Sequence, residues 1–129
     1  VVLSLIDGWP AVRIAALARK LDVQGYKVVL LGIVRTPAHD RLLKAAPVLI
    51  DLTGSVDLAD VPVIAHGAHA TIGGRDGVAT LAALSGARTV ILSQGTDVAI
   101  DTLPHATTTW IQSDDIGDVS VGDVMKAVA

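Results

Sequence analysis

The sequence predicts a single α/β domain, a doubly wound parallel sheet with helices on both faces. Three observations predict it. Short blocks of Val, Ile and Leu alternate from end to end with segments that carry apolar residues at helical spacing. The blocks show no polar alternation, as expected of strands buried on both faces. The chain has 129 residues, enough for one real core and too few for two ordinary domains.

The first strand is expected over 1–6, with Asp7-Gly8-Trp9-Pro10 as the turn that leaves it. Pro10 suits a first helical position, where a missing N–H costs nothing. Ile14, Leu17 and Leu21 then recur at helical spacing, and Gly25 fits the C-terminal cap. Residues 26–34, YKVVLLGIV, form the strongest strand and should lie centrally. Thr36-Pro37 opens a short helix through Lys44 with Leu42 and Leu43 inward, and residues 48–50 make a third strand ending at Asp51.

After the turn at Thr53-Gly54-Ser55, Leu58, Val61 and Ile64 or Ala65 space as a helix capped by Ser55 or Asp57. Pro62 is tolerable there only if the helix begins close to it. A short strand over 68–72, a glycine loop over 73–77 and a helix over 78–85, ended by Gly86, follow. Residues 88–92 make the fifth strand, 93–97 a polar loop, and a last short strand falls within 104–111. Ser120 and Asp123 form a capping box for a final helix through Val128.

Composition narrows the function. The chain is 51% hydrophobic with a mean hydropathy of +0.58, yet no stretch is long and uncharged enough to span a membrane. A net charge of -3 and 2% aromatic residues argue against nucleic acid, which wants a basic stripe and stacking rings. There is no cysteine, hence no disulfide and no thiolate metal site. The opening VVLSLI lacks the basic flank of a signal peptide, so the cytoplasm is the expected compartment. Starting directly on a strand without an initiator methionine, the chain is expected to be part of a longer polypeptide.

The candidate site is the glycine loop. Gly73, Gly74 and Gly77 at a strand-to-helix junction either cradle a phosphate on bare N–H groups and a helix dipole or simply permit a tight turn. Arg75 either supplies positive charge to such a loop or is a solvated loop arginine. Asp76 either caps the helix through the N–H groups of Val78 and Ala79 or binds a sugar. Ser93 begins the loop at the carboxyl end of the fifth strand, the edge where open α/β sheets hold ligands. His66 and His69, three apart with no third ligand nearby, make a poor metal site, and no metal or cofactor is expected. His39 and His105 read as surface residues. Trp9 and Trp110 read as packing residues, with Trp110 also placed to meet a base.

These features occur in a recognisable order. WPAVRIAALARKLDVQGYKVVLLG, then VLIDLTGSVDLADV, then IGGRDGVATLAALSGARTVIL and a helix introduced by VSVGDVMKAV together resemble the C-terminal half of the heptosyltransferases of glycosyltransferase family 9. Trp9-Pro10, Leu52-Thr53-Gly54 and Leu58-Ala59-Asp60 stand where that family has Trp-Pro, Leu-Thr-Gly and Leu-Ala-Glu. The resemblance implies a Rossmann-like three-layer domain over residues 1–129 that forms one half of a GT-B fold. It also implies a donor site for a nucleotide sugar such as ADP-heptose, built from Gly73, Gly74, Arg75, Asp76, Gly77, Thr80 and Ser93. The acceptor-binding domain would lie outside this chain, the chemistry would need no metal, and the domain would not be active alone.

The chemical residues depart from that pattern. The family's Asp-Ser-Gly aligns with Arg75-Asp76-Gly77 and its His with Thr80, while the lysine before Trp-Pro is replaced in the run Ile6-Asp7-Gly8. No residue is therefore assigned to catalysis. An alternative is a degenerate, non-catalytic relative whose alanine-rich helices serve as a structural or partner-binding module.

Overall fold

A computed structural model describes residues 1–75, 77–95 and 107–129. In chain order the elements are β1 (Val2–Leu3), α1 (Ala11–Val23), β2 (Val29–Leu30), α2 (Pro37–Ala45), β3 (Ile50–Asp51), α3 (Val61–Gly67), β4 (Thr71–Gly73), α4 (Gly77–Leu84), β5 (Thr89–Gln94), β6 (Thr108–Ser113) and α5 (Val121–Val128). The strands form one parallel six-stranded sheet in the order β3-β2-β1-β4-β5-β6. This is the doubly wound arrangement the alternation predicts.

Two layers of helices cover the sheet. Ile14, Leu17 and Leu21 of α1, Leu42 of α2, and Val124 and Val128 of α5 pack with Leu3, Leu30, Ile72, Val90 and Leu92 in one large core. On the opposite face Val61 and Ala65 of α3 and Val78 and Ala82 of α4 pack with Val2 and Leu31. Ala79 and Ala83 of α4 close over Ile91, with the half-buried Trp110 against them. Neighbours along a strand thus feed different cores, which is why the strands are apolar without alternation. No described helix is long and apolar enough to cross a membrane.

The order of elements agrees with the sequence reading, and several boundaries do not. The blocks expected as strands over 1–6 and 26–34 pair over only two residues each, Val2–Leu3 against Val29–Leu30. Ser4, Ile6, Val28 and Leu31 beside these pairs are buried outside the paired registers, whereas Lys27 and Val34 are exposed. The strand expected over 68–72 is β4, shifted to end at Gly73, which is therefore a sheet residue. Ser93 and Gln94, expected in a loop, extend β5 by pairing with Gln112 and Ser113 of β6. Asp76, His105 and residues 96–97 of the expected polar loop lie outside the described residues.

Pro62 is accommodated by a change of helix type. Residues Leu58–Asp60 form a 3-10 turn capped by Asp57, and α3 begins at Val61 with Pro62 in its first turn. There its missing N–H would have no intrahelical partner. At the other end of the chain Ser120 Oγ accepts the Asp123 N–H at 3.0 Å and starts α5. Gly25 and Gly86, with φ of 95° and 85°, follow the ends of α1 and α4 in the left-handed region that glycine adopts without penalty.

Candidate functional site

The strand order reverses between β1 and β4: the chain moves outward from β1 to β2 and β3, then returns to the other side of β1. Loops leaving adjacent strands at such a point diverge to opposite faces and open a crevice at the carboxyl edge. A cleft of about 360 Å³ lies there, lined by Leu5, Asp7 and Gly8 after β1, Gly74 and Arg75 after β4, Leu92 and Gln94 of β5, and Ile116.

Each wall has a local cause. Gly8 turns the chain out of β1 with φ of 83°, and a Cβ there would meet Ile116 Cβ at 3.8 Å. Gly74 is buried, and a Cβ on it would come within 3.3 Å of Ile6 Cγ2, so its missing side chain lets the β4 exit lie against the β1 exit. Arg75 is exposed at the mouth, two residues before α4 begins. Ile116 sits in a 3-10 turn whose Asp115 caps it by accepting the Gly117 N–H at 2.9 Å.

That turn is fastened across the whole chain. Trp9 is 4% exposed and donates its Nε1–H to the Val119 carbonyl at 2.8 Å. Arg13 reaches the same carbonyl at 2.9 Å and also bonds the Gly117 carbonyl. Trp9-Pro10 thus starts α1 and pins the Ile116 wall of the cleft. Trp9 is a packing residue, as expected, with the added polar role of satisfying a buried carbonyl.

A second groove of about 320 Å³ adjoins the first through Leu5. Ser4, Leu31, Gly32, Ile33, Val34, His39, Gly77 and Val78 complete its lining. The reading of His39 as a surface residue is corrected here: it is 6% exposed. Its Nδ1 accepts the Thr36 N–H at 3.0 Å and lies 2.9 Å from Thr36 Oγ1, capping α2. Its Nε2 lies where a Gly32 side chain would be, 2.7 Å from an ideal Cβ. The ring is buried because Gly32 makes room for it, and burial pushes its pKa below the ordinary value.

Beside His39, Arg35 donates to Asp40 at 2.8 Å and to Asp51 at 2.6 Å, bridging the loop after β2 to the end of β3. The second oxygen of Asp51 accepts both the hydroxyl (2.6 Å) and the N–H (2.9 Å) of Thr53. These Thr53 bonds, with Arg35 adding to them, hold the Asp51 carboxyl below its ordinary pKa. Arg35 and both carboxylates are therefore engaged with one another.

The residues expected at the site separate into groups. Gly74 and Arg75 line the crevice, and Gly77 lines the adjoining groove. Gly73 is the buried last residue of β4 beside them. Thr80 is half-buried in the first turn of α4 and lines neither space. Ser93 is fully buried in β5 between two lining residues, and its hydroxyl has no hydrogen-bond partner among the described residues. Asp7, Gly8, Gln94 and Ile116 were not anticipated as a group. Asp7 and Gly8 carried a signal, since they follow the first strand of a doubly wound order. His66 and His69 bond backbone carbonyls, Ser85 and Val128, at 2.9 Å each. Among the described residues no group of three or more His, Asp or Glu is placed to hold a metal.

No family model matches this sequence, and no curated protein matches it. Solved structures do match the fold. E. coli ADP-heptose LPS heptosyltransferase II superposes with a TM-score of 0.81 at 18% identity, over 98% of this chain and 45% of that one. A glycosyl transferase family 9 protein of Veillonella parvula gives 0.76 at 19% identity, over 98% and 44%. E. coli heptosyltransferase WaaC with ADP gives 0.80 at 15% identity, over 97% and 42%. The chain spans less than half the length of each and has the fold of one half of these glycosyltransferases.

Proposed function

We propose that the domain is the donor half of a family 9-like glycosyltransferase and holds a nucleotide sugar, of the ADP-sugar class, in the crevice between β1 and β4. The observation that carries the reading is a coincidence of two features. The crevice lies at the switch point where open α/β sheets take ligands, and the whole chain superposes on half of enzymes one of which is solved with ADP.

On this reading the diphosphate lies beside Gly74 and Arg75, against the amino end of α4 at Gly77. Gly74 lets an anion approach the backbone, Arg75 supplies charge-assisted hydrogen bonds, and the amino end of α4 adds its partial positive charge. The same groups stabilise the diphosphate as it departs, when its negative charge is greatest. Thr80 and Ser93 belong to the proposed surround of this site and not to its charge-bearing core. Transfer requires an acceptor surface, which this reading assigns to a separate domain.

Titration calorimetry with ADP and an ADP-sugar tests the proposal. Binding is expected, and Arg75→Ala should weaken it about fivefold or more, the loss of roughly 1 kcal/mol for an exposed charged hydrogen bond. No heat at nucleotide concentrations on the order of millimolar, a range reached by even weak specific binding, would refute it.

A further inference from the structure

We infer that His39 is a binding residue of the groove beside the crevice, where its Nε2–H donates a hydrogen bond to an in-plane acceptor on the base of the bound nucleotide. The inference rests on the proposed nucleotide reading and concerns which part of such a ligand this groove takes.

The position of the ring proton follows from the neighbours of His39. Its Nδ1 accepts the backbone N–H of Thr36 at 3.0 Å, and a backbone N–H can only donate. Burial lowers the pKa of the ring, so at pH 7 it is neutral and carries its one proton on Nε2. The residue is 6% exposed, and among the described residues no hydrogen bond engages Nε2. A buried donor without a partner is unfavourable, and a ligand acceptor relieves it. Nε2 lies over Gly32, 2.7 Å from where a Cβ would stand, and both residues line the groove. Any side chain at position 32 would displace the ring, so glycine there is what gives the donor its place.

The rest of the lining selects a base. Leu5, Leu31, Ile33, Val34 and Val78 give the groove apolar walls, and His39 is the one ionisable group among its described lining residues. Ligand pockets of this kind fix orientation with a few polar groups on an apolar lining. A diphosphate would meet no cationic side chain there, and the hydroxyls of a sugar would face methyl groups. A base presents its ring faces to such walls and its ring nitrogens or carbonyls to a single donor. The connection also fits. Gly77 lines the groove and begins α4, against which the diphosphate is proposed to lie, and Leu5 lines both spaces. The transferred sugar is then left to the part of the crevice that bears Asp7 and Gln94.

Calorimetric titration of ADP and of inorganic pyrophosphate into the wild type and His39→Gln tests the assignment. Glutamine at the third position of a helix also closes a capping box, so the variant keeps a cap on α2 while withdrawing the donor from Gly32. Its ADP affinity should fall about fivefold or more, the effect of one lost hydrogen bond, and its pyrophosphate affinity should match that of the wild type. In nitrogen-15 spectra of the wild-type imidazole, Nε2 should be the protonated nitrogen, and its resonance should shift on adding ADP but not pyrophosphate. A ring resonance that does not move when ADP saturates the protein, or an equal loss of affinity for both ligands in His39→Gln, overturns the role of His39 and leaves the nucleotide site standing. Absence of ADP binding to the wild type overturns the nucleotide reading and this inference with it.

Discussion

Removing the indole donor of Trp9 tests whether the start of α1 and the Ile116 turn are held together by one shared acceptor. The Val119 carbonyl receives Trp9 Nε1–H at 2.8 Å and Arg13 at 2.9 Å. Val119 itself is 3% exposed. In Trp9→Phe the Arg13 bond remains, so the carbonyl is not orphaned, and the expected cost is about 1 kcal/mol for one buried hydrogen bond. Arg13→Ala alone likewise leaves the indole in place. The double variant strips both donors and adds the penalty of a buried unpaired carbonyl, about 1–3 kcal/mol. The two substitutions should therefore be coupled by about 1–2 kcal/mol, well outside the additivity of independent sites. Urea denaturation of the wild type, both single variants and the double variant closes the cycle. Additivity within about 0.5 kcal/mol would refute the shared-acceptor account.

Stability should fall as pH drops from neutral through the ordinary histidine range. His39 has a lowered pKa in the fold, so the unfolded chain binds more protons there as pH falls below 6.5, and the stability present above that value is progressively lost. His39→Gln should flatten this dependence in urea midpoints measured across that window; an unchanged slope would mean that another group carries it. Asp51, also lowered, should add a second loss as pH falls below 3.8, diminished in Thr53→Val. Gly74→Val should cost at least about 1 kcal/mol by overpacking against Ile6, whose Cγ2 would already lie 3.3 Å from a Cβ, and should weaken ADP binding by spreading the crevice walls. A Gly74→Val protein as stable as wild type would show that the β4 exit can shift freely.

Part of the candidate site was legible because its signal is local. Gly73, Gly74, Arg75 and Gly77 stand together within five residues at a strand end and a helix start, and glycine density marks a junction wherever it occurs. Asp7, Gln94 and Ile116 carry no such mark. They meet because three chain segments end at the same edge of the sheet. His39 was misread for a related reason: a lone polar residue in a short helix suggests a surface, while the space that buries it belongs to Gly32, seven residues earlier.

The sequence by itself determined the alternation of strands and helices, their order, the turns and caps, and hence a doubly wound α/β domain. Those properties depend on side-chain periodicity and on Gly, Pro and Ser chemistry within a few residues. Only the tertiary structure decided that β1 and β2 pair over two residues and that Ser93 belongs to a strand. It also decided that Trp9 and Val119, 110 residues apart, share a hydrogen bond. Pairing length, burial and shared acceptors depend on what arrives from the other end of the chain. The crevice is of that kind: its two charged walls, Asp7 and Arg75, face one space because the strand order reverses between β1 and β4.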